Sequence, residues 1–264
     1  MMKITMLGTG CAVVTDCFNT CFVMEDGENR LLVDGGGGIT LLKQLKQAGI
    51  SVHDIHEVFV THRHLDHIMG ILWLLRVRMA AMHKNKDDHL TILGHDEVIG
   101  ILNVMVRMLL PERTDMLGRQ VFLREVKDGQ QETLMGRQTV FFDIRSVKAK
   151  QFGFSMLDGE HRITVCGDEP LKEHCRVYAE NAWLLMHEAF CTYEDREIYK
   201  PYKKQHSTVK DACEAAESLC VSNLLLYHTE DHDIAHRKEK YTAEGKQYYS
   251  GRLFVPDDLE TLEF

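Results

Sequence analysis

The 264 residues carry 31 basic against 40 acidic side chains, a formal charge of −9 with a pI near 5.9, which excludes a global field that would draw the protein to polyanions. Hydrophobic residues make up 44% of the chain, enough to bury a substantial core in one domain spanning residues 1–264. The eight cysteines, from Cys11 to Cys220, form no C-x-x-C pair, so they read as mostly buried free thiols in a reducing compartment rather than as a disulfide framework or a zinc ribbon.

The first predicted elements are short strands, Ile4-Leu7, Thr20-Met24 and Arg30-Val33, with turns at Gly8-Thr9-Gly10 and Glu25-Asp26-Gly27. One lysine and a brief apolar run at the start make a strand and not a signal peptide. Asp34 and the four glycines after it stop the third strand and open a helix through Leu41, Leu42, Leu45 and Ala48, which Gly49 ends. The buried-strand pattern Glu57-Val58-Phe59-Val60-Thr61 follows, then helices over Ile68–Met82 and Asp96–Leu110 with the strand Leu90-Leu93 between them. The run Ile68–Met82 is too short to span a bilayer, and Arg76 and Arg78 interrupt it.

From Val121 to Val165 the pattern is strand-like again. It gives way to a strand at Trp183–Met186, a helix at Val209–Leu219, a strand at Asn223–Tyr227 and a charged helix from about Ala235. Strands opening each half, with helices after them, predict an α/β architecture with mixed strand direction. A soluble, cytoplasmic protein with no membrane association is expected.

The run His62-Arg63-His64-Leu65-Asp66-His67 lies directly after the buried strand, where the chain must leave its sheet. Side chains two apart in a turn can converge, and a helix starting near Asp66 would aim the next two at a second position nearby. These candidate ligands, His62, His64, Asp66 and His67, could therefore serve two metals a few ångströms apart. Imidazole and carboxylate donors without thiolate suit zinc, with iron or manganese as alternatives, at one or two ions per chain.

With this run the sequence resembles the metallo-β-lactamase superfamily over nearly its whole length. The resemblance implies an αββα sandwich, two mixed sheets packed face to face with helices outside. It also implies that Asp168, at the end of Val165-Cys166-Gly167-Asp168, is a bridging carboxylate, and that His228, after Leu226-Tyr227, is the last ligand of the second metal. The segments His187-Glu188-Ala189 and His206-Ser207-Thr208 are similar to motifs of the ribonuclease Z branch. There Glu188 would orient His206, and His206 would protonate the leaving oxygen. Asp66 would hold and deprotonate the attacking water. Ser207 or Thr208 could equally cap a helix beginning at Val209.

Two departures from the branch stand out. Its third histidine for the first metal matches Arg145 in the stretch Ile144-Arg145-Ser146-Val147-Lys148, and a guanidinium cannot coordinate a cation. Arg145 and Lys148 are instead expected to contact an anionic substrate. The branch's long basic arm, which grips tRNA, is missing between Phe154 and Asp168, where there is room for a single hairpin. The leading expectation is a phosphodiesterase acting on RNA or on a smaller phosphodiester such as a cyclic nucleotide. Thioester or lactam hydrolysis, and a non-catalytic binding role, are the alternatives. Ribonuclease Z relatives are often dimers, so a homodimer is the assembly the resemblance implies.

Overall fold

The computed structural model describes residues 2–264. The first half of the chain runs through β1 (Lys3–Gly8), β2 (Cys21–Asp26), β3 (Asn29–Val33), α1 (Thr40–Gln47), β4 (Glu57–Phe59), α2 (Leu65–Met82), β5 (Leu90–Gly94), α3 (Asp96–Leu109) and β6 (Val121–Glu125). The second runs through β7 (Gln131–Leu134), β8 (Arg137–Asp143), β9 (Phe152–Asp158), β10 (His161–Val165), α4 (Arg176–Ala179), β11 (Leu184–Glu188), α5 (Arg196–Tyr199), α6 (Val209–Ser218), β12 (Asn223–Tyr227), α7 (Ile234–Gly245), β13 (Arg252–Phe254) and β14 (Thr261–Glu263). Two seven-stranded sheets result, ordered β14-β1-β2-β3-β4-β5-β6 and β13-β12-β11-β10-β9-β8-β7.

The halves repeat one another. β1–β3 form an antiparallel meander that continues into the parallel strands β4, β5 and β6. β8–β10 form a second meander that continues into parallel β11, β12 and β13. β14 flanks β1 and β7 flanks β8, so the two sheets have the same plan. This repeat is invisible as sequence periodicity, because it lives in strand order and not in residue identity.

Alternation along the strands decides which side each residue serves. Ile4, Met6, Leu31, Val33 and Phe59 from the first sheet meet Phe154, Met156, Val165, Met186 and Leu225 from the second in the central core. Leu7, Leu32 and Val58 face the other way, onto Leu41, Leu74 and Leu102 of α1–α3. Leu185, Leu224 and Leu226 face Ala212 and Tyr241 of α6 and α7. The four layers are therefore helices, sheet, sheet and helices, as the sequence resemblance implied. Each fully buried large side chain in the two inner faces contributes about 1.5–3 kcal/mol.

The predicted elements appear with modest shifts. α2 begins at Leu65, three residues earlier than the apolar pattern suggested, with His64 as its N-cap. β4 closes at Phe59 and leaves Val60 and Thr61 in extended chain leading to His62. β9 and β10 make one hairpin, His161 opposite Asp158, in the short stretch between Phe154 and Asp168 as expected. All eight cysteines are free, and all but Cys17 and Cys220 are buried. Among the described residues, no helix is long and apolar enough to cross a membrane.

Candidate metal centre and active site

The parallel strands of both sheets deliver their C-terminal ends to one cleft. His62 and His64 follow β4, Asp168 follows β10, Glu188 closes β11, and His228 follows β12. Asp66 and His67 occupy the first turn of α2. The predicted ligands thus come together from three separate places in the chain, 62–67, 168 and 228.

Their side chains meet around one carboxylate oxygen. Asp168 Oδ2 lies 3.4 Å from His62 Nε2, 3.7 Å from His67 Nε2 and 3.5 Å from His228 Nε2. Asp66 Oδ2 lies 3.2 Å from His67 Nε2 and 3.7 Å from His228 Nε2. Donor atoms of His62, His64 and Asp168 form one group with mutual distances within 4.8 Å, and those of Asp66, His67 and His228 form a second. Glu188, His206 and His228 make a third such group.

A divalent cation fits these residues on chemical grounds. Both ring nitrogens of His228 and Nε2 of His67 are buried without a hydrogen-bond partner. Buried polar atoms are rarely left so, because each orphan costs the desolvation of its lone pair or proton. The imidazole and carboxylate set matches the preferences of zinc.

Asp34, which sequence reasoning took only as a strand stop, braces both groups. Its Oδ1 accepts from Thr61 N at 2.8 Å, and its Oδ2 accepts from Thr61 Oγ1 at 2.8 Å and from His67 Nδ1 at 2.7 Å. Because a carboxylate only accepts, His67 must carry its proton on Nδ1, which leaves Nε2 facing the cleft. With its hydrogen committed to Asp34, Thr61 Oγ1 accepts from His62 Nδ1 at 2.9 Å and sets that ring in the same sense. Asp34 holds φ +57°, the left-handed region, where an aspartate is better tolerated than most residues. The missed signal was a carboxylate at a strand end before a glycine run.

His206 and Glu188 are adjacent, but not joined as expected. His206 Nδ1 donates to the backbone carbonyl of Asp168 at 2.7 Å, while Glu188 Oε2 lies 3.7 Å from the same nitrogen. Glu188 Oε1 instead accepts from Ser207 N. The carbonyl therefore fixes the ring and leaves Nε2 for the cavity, while Glu188 fixes the turn that carries it. Burial, then the neighbouring His228, push the His206 imidazole down to about 3. Burial pushes the Glu188 carboxyl well above the usual carboxylate range, against the opposing pull of Ser207. The ring of His206 stacks on Phe190, centroids 5.0 Å apart and nearly parallel. Thr208 caps α6 in a reciprocal capping box with Asp211, so this segment serves the helix as well as the cleft.

The expectation for Arg145 is corrected. Arg145 is exposed at φ +54° in the loop after β8, and its side chain does not line the cavity. The residue packed against the first group is Gln151, six positions on. Its Nε2 donates to Asp168 Oδ1 and lies 3.0 Å from His62 Nδ1. The loop from Ile144 to Lys150 turns Arg145 outward at positive φ and brings Gln151 to the group in its stead. Lys148 does line the cavity, where its Nζ donates to the carbonyl of Lys204. Lys204 Nζ sits 4.5 Å from the centroid of the Phe190 ring. Lys200 is drawn away to Glu197. The cavity encloses about 230 Å³, and Cys11, Ala12 and Val13 form its opposite wall.

The family model described as anti-Pycsar protein Apyc1 matches residues 2–247. The chain belongs to this family. Among curated relatives, ribonuclease Z of Pyrobaculum arsenaticum is 25% identical over 99% of the chain and 98% of its own length. Among solved structures, the metallo-β-lactamase fold protein YhfI of Bacillus subtilis has a TM-score of 0.81 at 20% identity, covering 100% of this chain and 99% of its own. The short form of human tRNase Z has a TM-score of 0.74 at 19% identity, covering 99% and 98%. The fold of this Apyc1-family chain is the metallo-β-lactamase fold.

Proposed function

We propose that the chain is a metal-dependent phosphodiesterase, working as one domain over residues 1–264, with a small phosphodiester such as a cyclic nucleotide as its substrate. The observation that carries this reading is the convergence of four histidines, His62, His64, His67 and His228, on Asp168, beside the small cavity that His206 lines. Relatives named ribonuclease Z support phosphodiester chemistry. His62, His64 and Asp168 would hold one ion, and Asp66, His67, His228 and Asp168 the other, with zinc the metal the donors suit best. An ion there lowers the pKa of water towards neutrality and polarises a phosphoryl oxygen.

The chain's own groups do the rest. Asp66 lines the cavity; burial opposes its charge, yet His67 and His228 hold it below the usual carboxylate range, so it stays ionised and can orient the attacking water through a hydrogen bond it accepts. His206, held by the Asp168 carbonyl, presents Nε2 to the leaving oxygen. The negative charge of an arriving phosphodiester favours the doubly protonated ring that this step requires. Lys148 and Lys204 set positive charge at the cavity wall.

Two features favour a small substrate over folded RNA. The volume falls below the roughly 300–1,000 Å³ usual for drug-sized ligands. Between Phe154 and Asp168 stands a single short hairpin, β9–β10, with no room for the tRNA-gripping arm that the resemblance would imply.

The test is turnover by zinc-loaded protein of bis-p-nitrophenyl phosphate and cyclic mononucleotides, beside S-lactoylglutathione. Cleavage of the thioester alone would overturn the phosphodiesterase reading. A chain that takes up no zinc would favour the binding role.

A homodimer belongs to the same proposal. α3 buries Val98, Leu102 and Val106, yet carries a second apolar stripe of Val104, Met105 and Met108 on its outer side. Val104 is 55% and Met108 74% exposed. A stripe at helical spacing with nothing over it suits a second copy of the same helix. Unpaired thiols throughout fit a cytoplasmic setting.

A further inference from the structure

The two groups of candidate ligands are not equivalent, and the difference lies in Gln151. Asp66, His67 and His228 share Asp168 as a fourth donor, all of them are buried, and Asp34 braces His67. The other group has only His62, His64 and Asp168, and His64 is partly exposed at the start of α2. Where a fourth donor could stand, the neighbour is the amide of Gln151.

That amide is firmly placed. Gln151 is 1% exposed, and its backbone bridges to His62 across an isolated antiparallel pair. Its carbonyl accepts from Ile144 N at 2.9 Å, and the next residue, Phe152, donates to Thr61 O at 3.0 Å. The side chain lies over Gly167, where an added Cβ would come within 2.5 Å of the Gln151 carboxamide carbon. The chain therefore carries glycine immediately before Asp168 at the spot where the amide needs room. The N–H of Gln151 points at Asp168 Oδ1, which leaves Oδ2 as the oxygen that faces the histidines of both groups.

We propose that Gln151 is a positioning residue that holds Asp168 with Oδ2 inward between the two metal positions, and that it leaves the His62–His64 position a three-donor, weakly held site. This inference rests on the proposed metal centre. An amide N–H cannot ligate a cation, so it acts through the carboxylate it orients. A three-donor position keeps room for water or substrate, as catalytic sites require.

Zinc content after dialysis against graded chelator, read by mass spectrometry, tests this without recourse to turnover. The wild-type chain should keep one zinc firmly and exchange a second. Gln151→Ala should weaken the second more than the first, by about 10–100-fold, the usual effect of losing an outer-shell partner, because the first keeps Asp66, His67 and His228 besides Asp168. Gln151→Met, which fills the same space without a donor, should behave like the alanine variant. The visible spectrum of the second cobalt equivalent should shift in both variants. Retention of the first zinc reports that each variant has folded.

Two equally tight zincs in the wild type, or a methionine variant indistinguishable from wild type in affinity and spectrum, would overturn the role of Gln151. Absence of any bound zinc would instead overturn the metal centre itself, so the two failures can be told apart.

Discussion

Asp34 takes three hydrogen bonds from Thr61 and His67 without lining the cavity, which separates it from the residues that would touch substrate. Asp34→Ala should therefore lower zinc affinity by about 10–100-fold, read by competition with a chromogenic chelator, because both His62 and His67 lose the group that sets their tautomer. An unchanged affinity would mean the histidines orient themselves. His206→Ala should lower kcat by about 10²–10⁴-fold, the usual loss for a general acid–base group, while zinc content stays at the wild-type level; loss of zinc would recast His206 as a ligand. The residues in these predictions were unequally legible in the sequence. His62, His64, Asp66 and His67 sit within six positions after an apolar strand, so local pattern marked them, whereas Asp168 and His228, each at the end of a strand, were marked by the family resemblance. Asp34 was hidden because an aspartate before glycines is also an ordinary turn. Gln151 was hidden because the loop from Ile144 to Lys150 bends back through a left-handed residue at Arg145, and a chain's path through such a loop is not written in its length. The contact between Glu188 and Ser207 depends on a backbone amide, which no side-chain motif records.

Among the elements, α2 has the most to do, since it carries Asp66 and His67 and has His64 at its N-cap. It is set against the loop after β3 by two backbone bonds, Gly35 N to His67 O at 2.8 Å and Gly70 N to Gly36 O at 3.0 Å. The approach is so close that a Cβ on Gly70 would lie 1.8 Å from Gly35 O. The same glycine-rich loop begins with Asp34, so the contact ties the brace to the helix that holds the braced residue. Gly70→Ala should cost about 1–3 kcal/mol in urea unfolding, as overpacking does, and should also reduce zinc retention. A variant as stable as wild type would show that helix and loop can separate freely. The helix itself was legible from its apolar composition. The apolar pattern put its start at Ile68, three residues late, while the ligand spacing, which asked for a helix starting near Asp66, came within one residue of Leu65.

At the scale of the whole molecule, two halves of the same plan meet so that neither owns the centre. His62, His64, Asp66 and His67 come from the first half, and Asp168, Glu188, His206 and His228 from the second. The α/β class was legible because strand alternation and helical spacing are local, and the four layers came with the family resemblance, whereas the repeat and the face of α3 depend on how distant strands pair. Val104→Asp combined with Met108→Asp should convert a dimer to a monomer in sedimentation velocity, with zinc content unchanged; a wild-type chain already monomeric at high concentration would refute the assembly. One further tie crosses the molecule. Asp258, between β13 and β14, accepts from the backbone amides of Thr9, at 3.0 Å, and Phe18, at 2.6 Å, on either side of the segment that forms the cavity wall at Cys11–Val13. The rim of the cleft is thus moored by residues synthesised some 240 positions later. While translation is under way the mouth has no anchor, and trimming by a carboxypeptidase that reached Asp258 would slacken the entrance while leaving every ligand in place.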